Sequence, residues 1–281
     1  MRERRDDAVT GSRTLVIAEI GENHAGDWGL ARDMTHAAAE AGADIVKFQS
    51  YRGSDVAEDD PEKDWFTKVE MPDSLHFELK ALCERNGVEF LSSAFTVERA
   101  RFLVEHVGVR RMKVASSEML NAALLDYLNG RVETVFISTG MATLDEVRHA
   151  VSHLGRVPDV CVMQCTTAYP CPPQHANIAV VQSLHVAFPA HRIGYSDHTI
   201  GILAPVVAVA LGARVIEKHF TTDRSLPGTD HVLSATPDEF REMVRLIREV
   251  EILRGSSEKQ PVGDEAQIVK GVRSRFRKDR E

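Results

Sequence analysis

Short apolar runs rich in β-branched residues recur along the chain, and each precedes a stretch whose apolar positions follow helical spacing. That alternation is the pattern of βα units feeding a parallel sheet. Eight such runs predict strands at Leu15–Ile20, Asp44–Phe48, Val88–Leu91, Arg111–Ala115, Thr134–Ile137, Val160–Gln164, Arg192–Gly194 and Arg214–Glu217. Between them, Leu30, Met34, Ala38 and Ala41 form one apolar helical face. Thr143 with Glu146 forms a capping box. Thr236, Pro237 and Glu239 open a last helix that turns Phe240, Met243, Val244 and Ile247 inward.

Eight strand-then-helix units in about 240 residues match an α/β fold of the (β/α)8 TIM-barrel kind. The alternative is a doubly wound open sheet, which would carry a glycine-rich loop after its first strand. Here that turn reads Gly21-Glu22-Asn23-His24. The organisation expected is an N-terminal extension at 1–13, a barrel at 14–254 and a C-terminal tail at 255–281 without periodicity. The longest insertion, Ser50 to Pro72, carries Tyr51, Trp65, Phe66 and the acids Glu58–Asp60, and reads equally as a lid or a solvated loop.

Composition narrows the classes. Among 281 residues the formal charge is −8, so a uniformly basic nucleic-acid surface is excluded, and a basic end with Phe276 as its one aromatic reads as a solvated terminus. The longest apolar run, Ile202 to Leu211, is interrupted by Pro205 and is well short of the roughly 18 residues of a membrane span. A charged start without an apolar segment makes a cytoplasmic location the expectation. Cys161, Cys165 and Cys171 lack the spacing of a zinc pair and read as buried thiols.

Chemistry gathers at the strand ends. Glu19 ends the first strand, Lys47 and Gln49 the second, Ser92 and Ser93 the third. Lys113, Ser116, Ser117 and Glu118 belong to the fourth, Ser138 to the fifth, Thr166, Thr167 and Tyr169 to the sixth, Ser196, Asp197 and His198 to the seventh, Lys218 and His219 to the eighth. In a barrel these ends converge on one face. A single strand-end lysine most simply reaches solvent. Lys47 and Lys113 beside Ser93, Ser138 and Ser196 instead suit a phosphorylated anion. His198 and His219, 21 residues apart, lie about one repeat apart and suit a divalent ion with further oxygen ligands, although 12 histidines make a chance pair easy.

The strings IAEIGENHAGD (17–27), VKFQSY (46–51), MKVASSE (112–118), ISTGMAT (137–143), CTTAYPCP (165–172), GYSDHT (194–199), EKHFT (217–221) and LPGTDH (226–231) resemble the catalytic barrel of the sialic acid synthase (N-acetylneuraminate synthase) family. The resemblance implies a metal-dependent transferase that forms a carbon–carbon bond between phosphoenolpyruvate and an aldose such as N-acetylmannosamine, releasing phosphate. It implies that Lys47, Ser93, Lys113, Ser116, Ser138 and Ser196 hold the phosphoenolpyruvate anion and that His198 and His219 ligate the ion, usually Mn2+. Glu19, Tyr169, Thr167 and Asp230 fall near the sugar, and Glu118 beside the reacting carbon. A homodimer is expected as well.

Two departures stand out. Family members carry a small antifreeze-like domain after the barrel, which reaches the partner's pocket; here the chain stops near that boundary, so a separate cap protein or a different acceptor is expected. Strand six has Gln164 and Thr167 where the family commonly has His and Asn or Ser, which alters acceptor contacts. The alternatives are the same condensation with another aldehyde in a specialised metabolite pathway, and a non-catalytic barrel that binds sugar phosphates.

Overall fold

A computed structural model describes residues 13–275. Eight parallel strands, β1 (Leu15–Gly21), β2 (Ile45–Ser50), β3 (Glu89–Ala94), β4 (Arg111–Val114), β5 (Thr134–Ser138), β6 (Asp159–Cys165), β7 (Arg192–Asp197) and β8 (Val215–His219), pair in sequence order. β1 also pairs with β8, so the sheet closes into a barrel and the open-sheet alternative falls. The helices on its outside are α1 (Trp28–Glu40), α2 (Lys63–Val69), α3 (Asp73–Arg85), α4 (Val97–Arg101), α5 (Ala122–Leu128), α6 (Leu144–Ser152), α7 (Val180–Ala187), α8 (Leu203–Ala210) and α9 (Pro237–Arg254).

The two-residue period of a strand sorts the core into two compartments. Outward residues such as Val16, Ala18, Val46, Val135, Val162 and Ile216 join the helices in the main apolar core. Inward residues Ile17, Ile45, Leu91, Phe136, Cys161, Met163 and Val215 form a separate cluster that plugs the barrel. One period further along the strands, the inward positions become Glu19, Lys47, Ser93, Lys113, Ser138, Ser196 and Glu217, all buried. The barrel interior is therefore apolar below and charged above.

Caps start the helices where the sequence predicts. Asp27 accepts from Gly29 N at 2.7 Å and Leu30 N at 3.1 Å at the start of α1. Thr143 N donates to Glu146 Oε2 at 2.7 Å, and Thr236 N to Glu239 Oε2 at 3.0 Å, which closes the two expected capping boxes. Phe240, Met243 and Ile247 of α9 are buried. The tail is not wholly irregular: Gly263–Ser274 forms a further helix, α10, exposed along nearly all of its length. Residues 1–12 of the expected extension and the end from Phe276 lie outside the described residues.

Two long-range ties hold the mouth. Asn23 Nδ2 donates to Phe220 O and to Ser234 Oγ, each at 2.9 Å, and so clamps the loop after β1 to the loop after β8. Lys218, on the outward face of β8, donates to Asp197 Oδ2 at 2.7 Å with both side chains fully buried. Lys218 and Asp197 thus brace the ends of β7 and β8 and do not line the cavity.

Candidate active site

The charged layer forms the floor of a cavity of about 330 Å3 at the C-terminal end of the barrel. All the residues that the resemblance assigns to the site line it except Glu118; of the other strand-end residues, Gln49 and Ser117 line it and Ser92, Thr166, Asp197 and Lys218 do not. Lys47 Nζ lies 2.9 Å from Glu19 Oε2 and 3.7 Å from Glu217 Oε1, and donates to Ser93 Oγ at 3.1 Å. Lys113 Nζ lies 3.3 Å from the same Glu217 oxygen, which also accepts from Ser196 Oγ at 3.1 Å. Two buried ammonium groups thus share one carboxylate. Burial alone would raise Glu217, but Lys113 and Lys47 outweigh it and hold its carboxyl below the usual range. Burial raises Glu19 despite Lys47 beside it, with Glu217 adding repulsion. Burial disfavours charge on Lys47 as well, yet Glu19 and Glu217 outweigh it and raise its pKa.

Next to the lysines, Ser116 Oγ accepts from Gly140 N at 3.0 Å. A Cβ at Gly140 would stand 2.2 Å from Thr167 Oγ1 and 2.8 Å from Ser116 Oγ, so both hydroxyls would have to shift. Ser138 Oγ is buried without a hydrogen-bond partner at the edge of the same cavity. A buried hydroxyl left unsatisfied costs about 1–3 kcal/mol, which a bound anion would offset.

Glu118 is not brought to the cavity. Ser116–Glu118 is a single 3-10 turn, so three successive side chains point about 120° apart. Ser116 and Ser117 face the cavity, while Glu118 accepts from Asn121 Nδ2 at 2.9 Å.

At the ends of β7 and β8, His198 and His219 approach with ring centroids 5.4 Å apart, and Tyr169 lies over His198 at 4.1 Å. His198 Nδ1 meets Thr166 O at 2.8 Å, which leaves Nε2 as the free nitrogen. Cys165 Sγ, 3.8 Å from the same ring, also lines the cavity. His219 Nδ1 is buried with no hydrogen-bond partner and lies 3.5 Å from Asp230 Oδ2. Burial, then the charges of His198 and the lysines, push His219 well below the imidazole range, whereas Cys165 and the Thr166 carbonyl outweigh burial and raise His198. Among the described residues no group of three or more His, Cys, Asp or Glu converges as a ligand set. Two imidazoles alone could hold a divalent ion only with water or substrate oxygens as its further ligands.

Several lining residues escaped the sequence reading. Glu217 is the plainest: strand parity puts it on the same face as Val215 and His219, a signal present in the sequence. The insertion after β2 proves to be a wall of the cavity, with Glu62 and Phe66 on its surface. It is pinned there by Trp65 Nε1, which donates to Glu22 Oε2 at 2.6 Å, while Tyr51 OH donates to Glu22 Oε1 at 3.3 Å. Burial, with Asp230 and Glu62 nearby, pushes Glu22 up to about 7 against the two donors.

The family model described as "NeuB family" matches residues 34–259, most of the barrel. The chain belongs to the NeuB family. It is 39% identical over 275 residues to the N,N'-diacetyllegionaminic acid synthase of Legionella pneumophila, covering 90% of this chain and 77% of that one. It is 35% identical to the N-acetylneuraminate-9-phosphate synthase of Mus musculus, covering 88% and 72%. The crystal structure of a sialic acid synthetase from Leptospira borgpetersenii superposes with a TM-score of 0.89 at 32% identity, over 95% of this chain and 94% of that one. This NeuB-family chain thus has the (β/α)8 catalytic barrel that its motifs imply. Among the described residues no helix is long and apolar enough to cross a membrane.

Proposed function

We propose that this NeuB-family barrel condenses phosphoenolpyruvate with an aldose of the N-acetylmannosamine kind, forming a sialic-acid-type nonulosonic acid and releasing phosphate. The observation that carries the reading is the pair of buried lysines, Lys47 and Lys113, held on one carboxylate beside the hydroxyls of Ser93, Ser196 and the unpartnered Ser138. Such a floor is built for a compact polyanion: two ammonium charges supply the field and the hydroxyls supply direction.

In this reading Lys47 and Lys113 grip the donor's phosphate and carboxylate, with Ser93, Ser116, Ser138 and Ser196 directing its oxygens. C3 of the enol attacks the aldehyde carbon and the new C–C bond forms, leaving positive character at C2. Water adds at C2, and the C2–O bond of the resulting tetrahedral phosphate ester then breaks to give the keto acid and inorganic phosphate. The lysines hold both reactant and leaving group, so phosphate need not move between steps. His198 and His219 would hold a divalent ion, Mn2+ in this proposal, which supplies Lewis-acid polarisation of the aldehyde when bound. The resemblance assigns Glu118 to C2, whereas Glu19 and Glu217 are the carboxylates that already face the cavity floor. Tyr169, Thr167 and Asp230 remain the candidates for the sugar. The proposal extends to a cytoplasmic homodimer.

Phosphate release from phosphoenolpyruvate with N-acetylmannosamine and added manganese tests the reading. Turnover that requires the aldose supports it. Tight sugar-phosphate binding without phosphate release from any aldehyde would favour the non-catalytic alternative.

A further inference from the structure

The strand positions that face the helices, such as Val16, Val46, Val135, Val162 and Ile216, are apolar or neutral, and among them stand only two charged residues, Asp197 on β7 and Lys218 on β8. The two are register partners, with their side chains fully buried and 2.7 Å apart. A buried ion pair adds little net stability over apolar side chains that fill the same space, because taking two charges out of water is costly. Its stronger effect is on geometry, since a desolvated charge that leaves its partner is heavily penalised. Positions 197 and 218 directly precede the two cavity histidines, His198 and His219. The β7–β8 ladder ends at that pair, so no strand pairing ties one histidine to the other.

The contacts of Lys218 bracket His198. Its Nζ donates to Asp197 Oδ2, in the residue before His198, and to the carbonyl oxygen of Thr199, in the residue after it. Asp197 closes the same turn from the other side. Its Oδ1 accepts from Thr199 N and from Tyr195 OH, each at 3.0 Å, and its Oδ2 accepts from Thr199 Oγ1 at 3.1 Å. Other loops hold each histidine separately: Cys171 N donates to His198 O and Ala235 N to His219 O, each at 2.8 Å. The side chain next to one imidazole thus fixes the backbone on both sides of the other. Two imidazoles serve one ligand only when their supporting groups hold them within about 0.5 Å of the working geometry. We infer that Lys218, acting through Asp197 and Thr199, is a positioning residue that sets the separation at which His198 and His219 face one divalent ion. The inference rests on the reading that these histidines hold an ion; Lys218 itself does not line the cavity.

The test reads Mn2+ affinity from the electron paramagnetic resonance of the free ion, in wild type, Lys218→Met, Thr199→Val and Thr199→Ser. Lys218→Met should weaken binding by about 10-fold or more, the effect of removing the support of a metal-binding histidine. Thr199→Val removes one hydrogen bond to Asp197 and no charge, so it keeps the buried pair and should weaken binding less; Thr199→Ser retains the hydroxyl and should bind as wild type does. KM for phosphoenolpyruvate should stay within about twofold in the Thr199 variants, because Lys47 and Lys113 stand on β2 and β4, a split that general destabilisation would not give. In the metal-free protein, imidazole NMR signals assigned with His198→Ala and His219→Ala should shift for both histidines in Thr199→Val and stay in place for the distant His76. Unchanged Mn2+ affinity in both Lys218→Met and Thr199→Val overturns the inference, whatever happens to the denaturation midpoint. If wild type binds no Mn2+, the reading of the ion falls, and the imidazole signals of the metal-free protein decide alone: moved signals support the positioning role and unmoved ones overturn it.

Discussion

Replacing Glu22 by Gln isolates one buried carboxyl in an otherwise unchanged wall. Glutamine has the same shape, accepts from Trp65 through its carbonyl and can donate to Tyr51 through its amide, so both contacts survive. What disappears is a titration: burial, reinforced by Asp230 and Glu62, lifts Glu22 from 4.5 to about 7. Between those values the folded chain keeps a proton that the unfolded chain has released. Stability from this group is therefore complete below about pH 4.5 and is lost as pH rises through about 7. At 1.36 kcal/mol for each pK unit the whole effect is about 3 kcal/mol, of which about 2.5 kcal/mol falls between pH 5 and pH 8. The assay is urea unfolding of wild type and Glu22→Gln at both pH values, by circular dichroism and fluorescence together. Near pH 5 the two proteins should be similar. By pH 8 the variant should have gained about 2.5 kcal/mol relative to wild type. A difference between the proteins that stays constant within about 0.5 kcal/mol across that range would refute the account of this carboxyl, since linkage then requires equal proton binding in both states.

Other expectations follow from contacts outside that wall. Gly140→Ala should fold, as judged by circular dichroism, yet lose about 100-fold in kcat/KM for phosphoenolpyruvate, because its Cβ displaces the hydroxyls of Thr167 and Ser116 and one misplaced contact of this size carries such a penalty; near-normal kinetics would remove Ser116 from the donor site. Lys218→Met leaves Asp197 buried without its cation, held only by Tyr195 OH and by Thr199 N and Oγ1, and denaturant titration should register a loss of about 3–5 kcal/mol, an unchanged midpoint showing instead that the pair adds no stability. Dialysis against a chelator should abolish phosphate release, with manganese restoring it in wild type but not in His198→Ala or His219→Ala; full activity in the chelated enzyme would exclude the ion from the reaction.

The strand-end residues show how far pattern alone reaches. Lys47, Ser93, Lys113, Ser138 and Ser196 were legible because a strand's two-residue period and the common polarity of parallel strands are local properties, and together they force these side chains onto one end of one interior. The same parity places Glu217 on the cavity face, although it closes an apolar run as a boundary residue would. It would also have sent Lys218 outward, away from the cavity and onto Asp197. Glu118 illustrates the reverse. Its neighbours Ser116 and Ser117 face the cavity, but a turn of three residues rotates it toward Asn121, and no spacing rule distinguishes that turn from a strand's continuation.

By itself the chain's order of residues determined the eight βα units, their caps and the residue types gathered at one rim, since each depends on neighbours within a few positions. Closure of the barrel, the carboxylate shared by the two lysines and the acidic wall were decided only in three dimensions. The contact of Trp65 with Glu22 joins residues 43 positions apart and that of Ser196 with Glu217 joins residues 21 apart. Burial, which sets the charge state of each of these groups, is a property of what surrounds a side chain and not of what precedes it.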